Sequence, residues 1–362
     1  MRVLFLSANL GGNVPPTIAV ARELARRGAD VEVAGLLVDE ELTAVDASWA
    51  QKRGGDGRPE PLGPTLGRIF LSRGVMREAE ALVRERRPDV VVVDCMALAM
   101  VKGANLGGVP VVVLLHTFAE FWRRSFLHGP VAGIVGALGS SPRALWSAAA
   151  SRLLLTDAVL DPARHDPEFS DYTWTGSTER GSAPAPTGDR PRVLVSFSTT
   201  PLPGMRRAYR NTIAALSELP VDAVVTTGGF DLGARVRYAP KVQIRGFVPH
   251  AELLPGTALV IGHGGHSTTM KVLAHGVPLL VLPLNPTADQ HLIGDVIEKA
   301  GLGRTMSRRS SAQQIAGAVT ALLADTAVIE RAHATGDRLR AAPPGARIAA
   351  DRILEVAVAA DR

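Results

Sequence analysis

Five residues, Val90-Val91-Val92-Val93-Asp94, limit what this chain can become. A strand with β-branched side chains on both faces has no face left for water. It sits near the middle of a sheet that helices cover on each side. The neighbouring segments supply that cover. Arg2–Ser7 reads as a buried strand, and Thr17–Arg27 carries helical spacing (Ile18, Ala21, Leu24, Ala25) that Gly28 stops. Val31–Leu37 reads as the next strand. Such a β-α-β unit implies parallel strands with a right-handed crossover.

The alternation continues. Ala50–Pro64, rich in Gly, Pro and charge, reads as a loop. Thr65–Arg87 and Ala97–Leu106 read as helices, and Pro110–Leu115 as a strand. Thr117–Ala150 reads as mixed helices, and Leu153–Val159 closes the half. Gly176–Pro191 has the composition of a linker. Beyond it the pattern restarts: strands at Arg192–Phe197, Val221–Thr226, Val242–Arg245, Leu259–Ile261 and Pro278–Leu282, and helices at Met205–Leu219, His266–His275 and Gln290–Ala300. Two or three more helices follow. The expectation is an α/β chain of two Rossmann-like, doubly wound domains, 1–175 and 192–340, joined by a linker at 176–191. Residues 341–362 are expected as a C-terminal helix packing back toward the N-terminal domain. Ligands of such sheets bind beyond the carboxyl ends of the strands, so a cleft between the domains is the predicted site.

Composition narrows the function. The net charge of +5 is mild for 362 residues, and no dense Lys/Arg run marks a nucleic-acid surface. The single cysteine, Cys95, excludes an intramolecular disulfide and any Cys-rich metal site, and its apolar surroundings predict a buried, inert thiol. The N-terminus enters a strand directly, without the apolar stretch of a secretory signal. No window offers about 20 apolar residues free of charge. A soluble, cytoplasmic chain is expected, and a homodimer is left open.

The stretch with most chemical content is Ile261-Gly262-His263-Gly264-Gly265-His266-Ser267-Thr268-Thr269. A strand that breaks into glycines and then into hydroxyl residues at a helix start suits an anion. Glycines let the backbone approach, and the first helical N–H groups point outward with the positive end of the helix dipole. His263, Thr268 and Thr269 add donors. An ordinary β-α turn with a Ser/Thr cap is the plainer reading of a lone Gly-Gly. Around the loop stand Phe247-Val248-Pro249-His250, Gly276-Val277-Pro278 and Asp289-Gln290. An aromatic ring, a phosphate cradle and a carboxylate–amide pair could all meet one nucleotide-linked sugar.

In this order the segments resemble the signature region of the family 1, GT-B-fold, nucleotide-sugar-dependent glycosyltransferases of the bacterial natural-product type. The resemblance implies roles. Phe247 would lie beside the nucleobase, with Val248 backbone groups reading its edge. His263 would bind the diphosphate, with Gly265, His266, Ser267 and Thr268 in the same cradle and Ser198 and Thr199 on a further donor-side loop. Asp289 and Gln290 would hold sugar hydroxyls. The implied reaction is inverting, hexosyltransferase-type transfer from a UDP- or dTDP-sugar to a small aromatic or polyketide-like acceptor, as in antibiotic biosynthesis. It needs no metal and no cofactor, since the nucleotide-sugar is a co-substrate and UDP or dTDP leaves as product. Prearranged donors would stabilise the leaving charge.

Two departures stand out. Lys271 occupies the position where many members carry a ribose-binding Glu, and a lysine cannot accept a ribose hydroxyl bond. In Gly12-Asn13-Val14-Pro15-Pro16 the family's His base is replaced by Asn13, whose amide has no useful basicity. Three explanations stay open. Asp94 or His116, each ending a strand, supplies the base, imidazole being the group suited to it near neutrality. Or the acceptor needs little activation. Or the chain is a catalytically impaired helper or nucleotide-sugar-binding protein. Asn13, Phe118, Phe121 and Trp122 are the expected acceptor contacts.

Overall fold

The computed structural model describes residues 1–36, 38, 40–50, 62–185, 188–233, 236 and 238–360. Residues 51–61 of the Ala50–Pro64 loop, Leu37 of the second expected strand, and two residues of the linker lie outside them. Contacts divide the chain into two units, Met1–Thr178 with Pro343–Arg362, and Glu179–Ala342.

In the first unit the strands are β1 (Arg2–Leu6), β2 (Asp30–Ala34), β3 (Thr43–Val45), β4 (Val90–Asp94), β5 (Val111–Leu115), β6 (Ser151–Leu154) and β7 (Thr173–Trp174). They pair in parallel in the order β3-β2-β1-β4-β5-β6-β7. The valine strand β4 is therefore central. Its alternate side chains feed two cores. Val91 and Val93 join Val75, Ala79, Leu98 and Trp146 on one face. Val90 and Val92 join Val20, Leu24, Ala349 and Ile353 on the other. That second core includes residues from the C-terminal helix Gly345–Ala360, so the chain's end covers the sheet face where its first helix lies. Arg27 anchors this helix through Asp351 at 2.5 Å and the Arg347 carbonyl at 3.2 Å.

The second unit repeats the plan with β8 (Arg192–Ser196), β9 (Asp222–Thr226), β10 (Val242–Arg245), β11 (Thr257–Gly262), β12 (Leu279–Val281) and β13 (Gly303–Thr305), in parallel order β10-β9-β8-β11-β12-β13. In both sheets the winding direction reverses beside the first strand, between β1 and β4 and between β8 and β11. Loops leaving the carboxyl ends of such a pair diverge and open a crevice.

Several elements differ from the sequence expectation. The 65–87 helix is two helices, Leu62–Leu71 and Arg73–Arg86, because Ser72 turns extended and its hydroxyl caps the second one by accepting from Val75 N. The segment expected to close the first half at Leu153–Val159 overlaps strand β6, Ser151–Leu154, only at Leu153 and Leu154. Strands β3, β7 and β13 have two or three residues each, too few to show a period. Among the described residues no single helix is long and apolar enough to cross a membrane.

Candidate active site

Each unit brings a set of polar groups to its own switch point. In the first unit Asn13 occupies the N-cap of helix Val14–Arg26, where Pro15 and Pro16 need no amide partner. An N-cap asparagine ordinarily accepts from its own helix. This one does not. Its Nδ2 donates to Asp94 Oδ2 at 2.8 Å and Ala8 O at 2.8 Å, and its Oδ1 accepts from Leu10 N at 3.0 Å. Ser7 Oγ lies 3.3 Å from Nδ2. The side chain is 1% exposed.

Asp94, also buried, closes strand β4 and accepts from Met96 N at 2.8 Å through Oδ1. Its Oδ2 lies 3.4 Å from His116 Nδ1, at the end of the neighbouring strand β5. The two residues that the sequence offered as alternative bases, Asp94 and His116, are thus connected to each other and to Asn13. Among the described residues, the polar partners of His116 are Asp94 Oδ2 and Cys95 Sγ at 3.9 Å, both on its Nδ1 side. An Nδ1–H directed at Asp94 assigns the lone pair to Nε2. The edge of Trp122 packs against the ring, with centroids 5.4 Å apart.

Asp94, Cys95 and His116 are also the one group among the described residues with ligand atoms close enough for a metal ion, within 4.8 Å of one another. Burial pushes the Cys95 thiol well above its usual range, so it remains a neutral thiol beside a single carboxylate. Of the expected acceptor contacts, Phe118 and Trp122 are packed into the core with almost no surface, while Phe121 keeps partial exposure. Trp122 and Phe121 pack in an aromatic cluster with Phe126, and Trp122 also meets Trp146.

In the second unit the Gly-rich loop leaves β11 and enters helix His266–Ala274. Gly264 holds φ +82°, and a Cβ there would meet Gln290 O and Val281 Cγ1 at 2.9 Å. Gly265 is needed for a different reason. The His263 ring folds over it so closely that a Cβ would lie 2.7 Å from Nε2. His263 Nδ1 is buried without a partner among the described residues. Burial and the nearby His250 push the His263 pKa down to about 4, so the ring is neutral at pH 7. Burial and Lys271 push His250 down to about 4 as well, and its Nε2 is hydrogen-bonded to Ser196 Oγ at 2.8 Å, at the end of β8. The loops after β8, β10 and β11 therefore converge.

Phe247 is 76% exposed, the most open large hydrophobic residue among the described residues. Val248, His266, Thr268 and Asp289 are partly exposed, and Thr199 is exposed. Ser198 Oγ accepts from Thr200 N at 3.0 Å. Gln290 is buried, and its carbonyl accepts from Leu284 N at 2.7 Å and Asn285 N at 2.8 Å. That oxygen shapes the loop, so only the Gln290 amino group remains for a ligand. Ser267 Oγ donates to Glu179, which also pairs with Lys271 Nζ at 3.0 Å. Sequence reasoning missed Glu179. Its only mark was a charged pair, Glu179-Arg180, in a run of small residues.

With this geometry in view, likeness to known proteins is informative. Residues 210–355 match the erythromycin biosynthesis protein CIII-like C-terminal domain, and residues 17–160 match a Glycosyltransferase Family 4 domain. The calicheamicin glycosyltransferase CalG4 superposes with a TM-score of 0.74 over 98% of both chains at 23% identity. The fold is GT-B. A second GT-B structure, the spinosyn rhamnosyltransferase SpnG complexed with thymidine diphosphate, has a TM-score of 0.71 over 98% of this chain and 100% of that one, at 22% identity. The elloramycin glycosyltransferase ElmGT of Streptomyces olivaceus is 34% identical over 168 residues, 44% of this chain and 41% of that protein. The alignments span less than half the length of the curated relatives matched.

Proposed function

We propose that this GT-B chain is an inverting glycosyltransferase, moving a sugar from a dTDP- or UDP-sugar to a small aromatic or polyketide-like acceptor. The observation that carries the reading is the Asn13–Asp94–His116 group. Asp94 already receives the Asn13 and Met96 N–H groups, one on each carboxylate oxygen. It is well placed to orient His116 and to stabilise the imidazolium that forms when Nε2 takes the acceptor's hydroxyl proton. The base then stands at position 116 rather than 13, and Asn13 keeps the carboxylate in place.

On the donor side, first-turn amides of helix His266–Ala274, the Thr268 hydroxyl and the neutral His263 would stabilise charge growing on the departing diphosphate. The acceptor oxygen attacks the anomeric carbon opposite that leaving group. One bond forms as the other breaks, and configuration inverts. Likeness to a transferase complexed with thymidine diphosphate favours dTDP over UDP.

The test is turnover with dTDP- and UDP-sugars over a panel of phenolic and polyketide aglycones, following released nucleoside diphosphate and the acceptor's mass shift. His116→Ala should lower kcat by about 10²–10⁴-fold, and Asp94→Asn, which disturbs the tautomer, by a comparable factor. Wild-type rates in both variants would refute the relocated base. Donor binding without transfer to any acceptor would instead identify a helper protein, the reading that Asn13 alone suggests.

A further inference from the structure

We propose that Glu179 is the ribose-binding carboxylate of the donor site, accepting the 3′-hydroxyl of a bound nucleoside diphosphate. This rests on the reading of the His263–Thr268 loop as a diphosphate cradle.

Glu179 opens the second unit, ahead of its first strand, yet its side chain is only 10% exposed. It lies against helix His266–Ala274, where Ser267 and Lys271 stand four residues apart on one face. Its Oε1 accepts from the Ser267 hydroxyl and its Oε2 pairs with the Lys271 ammonium at 3.0 Å. The two bonds are unequal. The ion pair fixes Oε2 and balances the charge, so a diphosphate one turn away meets no net repulsion. The partner of Oε1 is a neutral hydroxyl, and replacing it with a ligand hydroxyl exchanges like for like. A carboxylate only accepts, so the ligand group it takes is a hydroxyl and not a phosphate oxygen.

Position follows from the neighbours. The cradle fixes the diphosphate at the helix N-terminus, and Phe247 offers its ring for a base. His250, three residues beyond Phe247, lies close enough to Lys271 for the ammonium to depress its pKa. His250 thus senses the ammonium that pairs with Glu179. The sugar ring of a nucleotide lies between its base and its phosphates. Lys271 cannot accept a hydroxyl, but it holds a residue that can. The 3′-hydroxyl is the nucleoside hydroxyl that dTDP and UDP share.

Calorimetric titration of the full chain with dTDP and with 2′,3′-dideoxythymidine diphosphate isolates this contact. Wild type should prefer dTDP by about tenfold or more, the worth of one hydrogen bond to a charged group. In Glu179→Gln the preference should shrink to about threefold or less. Each ratio compares two ligands on the same folded protein, so a change in stability cancels. If Glu179→Gln does not fold, Glu179→Asp keeps the charge but shortens the reach, and the preference should again shrink. An undiminished preference in the variant overturns the proposal, as does equal weakening of both ligands, the result expected of a helix tether. Equal affinities in wild type overturn it while leaving the cradle intact. A wild type that binds neither nucleotide overturns the cradle and this proposal together.

Discussion

The Asn13 side-chain amide donates to Asp94 Oδ2 at 2.8 Å, from a helix N-cap to the end of the central strand. Asparagine has gained this bond at the expense of capping its own helix. Removing the side chain leaves Ala8 O, Leu10 N and Asp94 short of a partner in a buried setting. Asn13→Ala should therefore cost about 2 kcal/mol of stability, read as a lowered urea midpoint with unchanged slope. If Asn13 positions and His116 takes the proton, kcat should fall far less in Asn13→Ala than in His116→Ala. Equal losses would return the catalytic role to position 13.

The Gly265 backbone is a floor for the His263 ring, since an added Cβ would sit 2.7 Å from Nε2 and 3.0 Å from Cε1. Its own φ of −70° is open to any residue, so Gly265→Ala strains the ring and not the backbone. The ring must tilt away from residue 265. The expected result is dTDP affinity weakened by about tenfold, with thermal stability lowered by about 1 kcal/mol or less. Gly264→Ala differs, because φ +82° and the Gln290 carbonyl oppose it together. It should destabilise more, and differential scanning calorimetry of the pair would rank them.

How far the sequence reached depends on the range of the interaction. The valine run of β4 and the restart after residue 191 are local patterns, and they reveal two parallel sheets. The glycine loop and Phe247 are equally local. What stayed hidden is side-chain direction. Asp94 and His116 could be named as rivals, but only the register of β4 beside β5, with Asp94 opposite Leu114, brings them to 3.4 Å. Phe118 and Trp122 show the converse. Aromatic content near a strand end suggested a pocket wall, whereas packing drew these rings into the core. Glu179 was invisible for a related reason: nothing in a Gly/Ser/Pro stretch says which helix a carboxylate in it will meet.

His263 and His250 make the second unit acid-sensitive. Both are held near a pKa of about 4, below the ordinary 6.5, His263 by burial and His250, and His250 by burial and Lys271. The unfolded chain takes up protons below pH 6.5 that the folded chain refuses until about pH 4. Their stabilising contribution is therefore complete above 6.5 and is lost as pH falls toward 4. The slope is at most about 1.4 kcal/mol per pH unit for each ring. His263→Gln should remove one ring's share, so its urea midpoint should fall less between pH 7 and about pH 4.5 than that of wild type. Parallel pH curves for the two proteins would show that His263 is not held neutral by the fold.

Phe247 offers the cleanest separation of binding from folding. With 76% of its surface exposed, the ring contributes little to the core, and its loss should change stability by no more than about 0.5 kcal/mol. An exposed aromatic ring is a surface on which a base can stack, worth about 1–3 kcal/mol per base. Phe247→Ala should weaken dTDP and UDP alike by about tenfold or more, because every base presents a π-face. Inorganic pyrophosphate, which lacks a base, should bind the variant and wild type equally. A variant that loses pyrophosphate as well would place Phe247 in the architecture of the loop. One that keeps full nucleotide affinity would remove the stacking role and leave the nucleobase to the backbone of Val248.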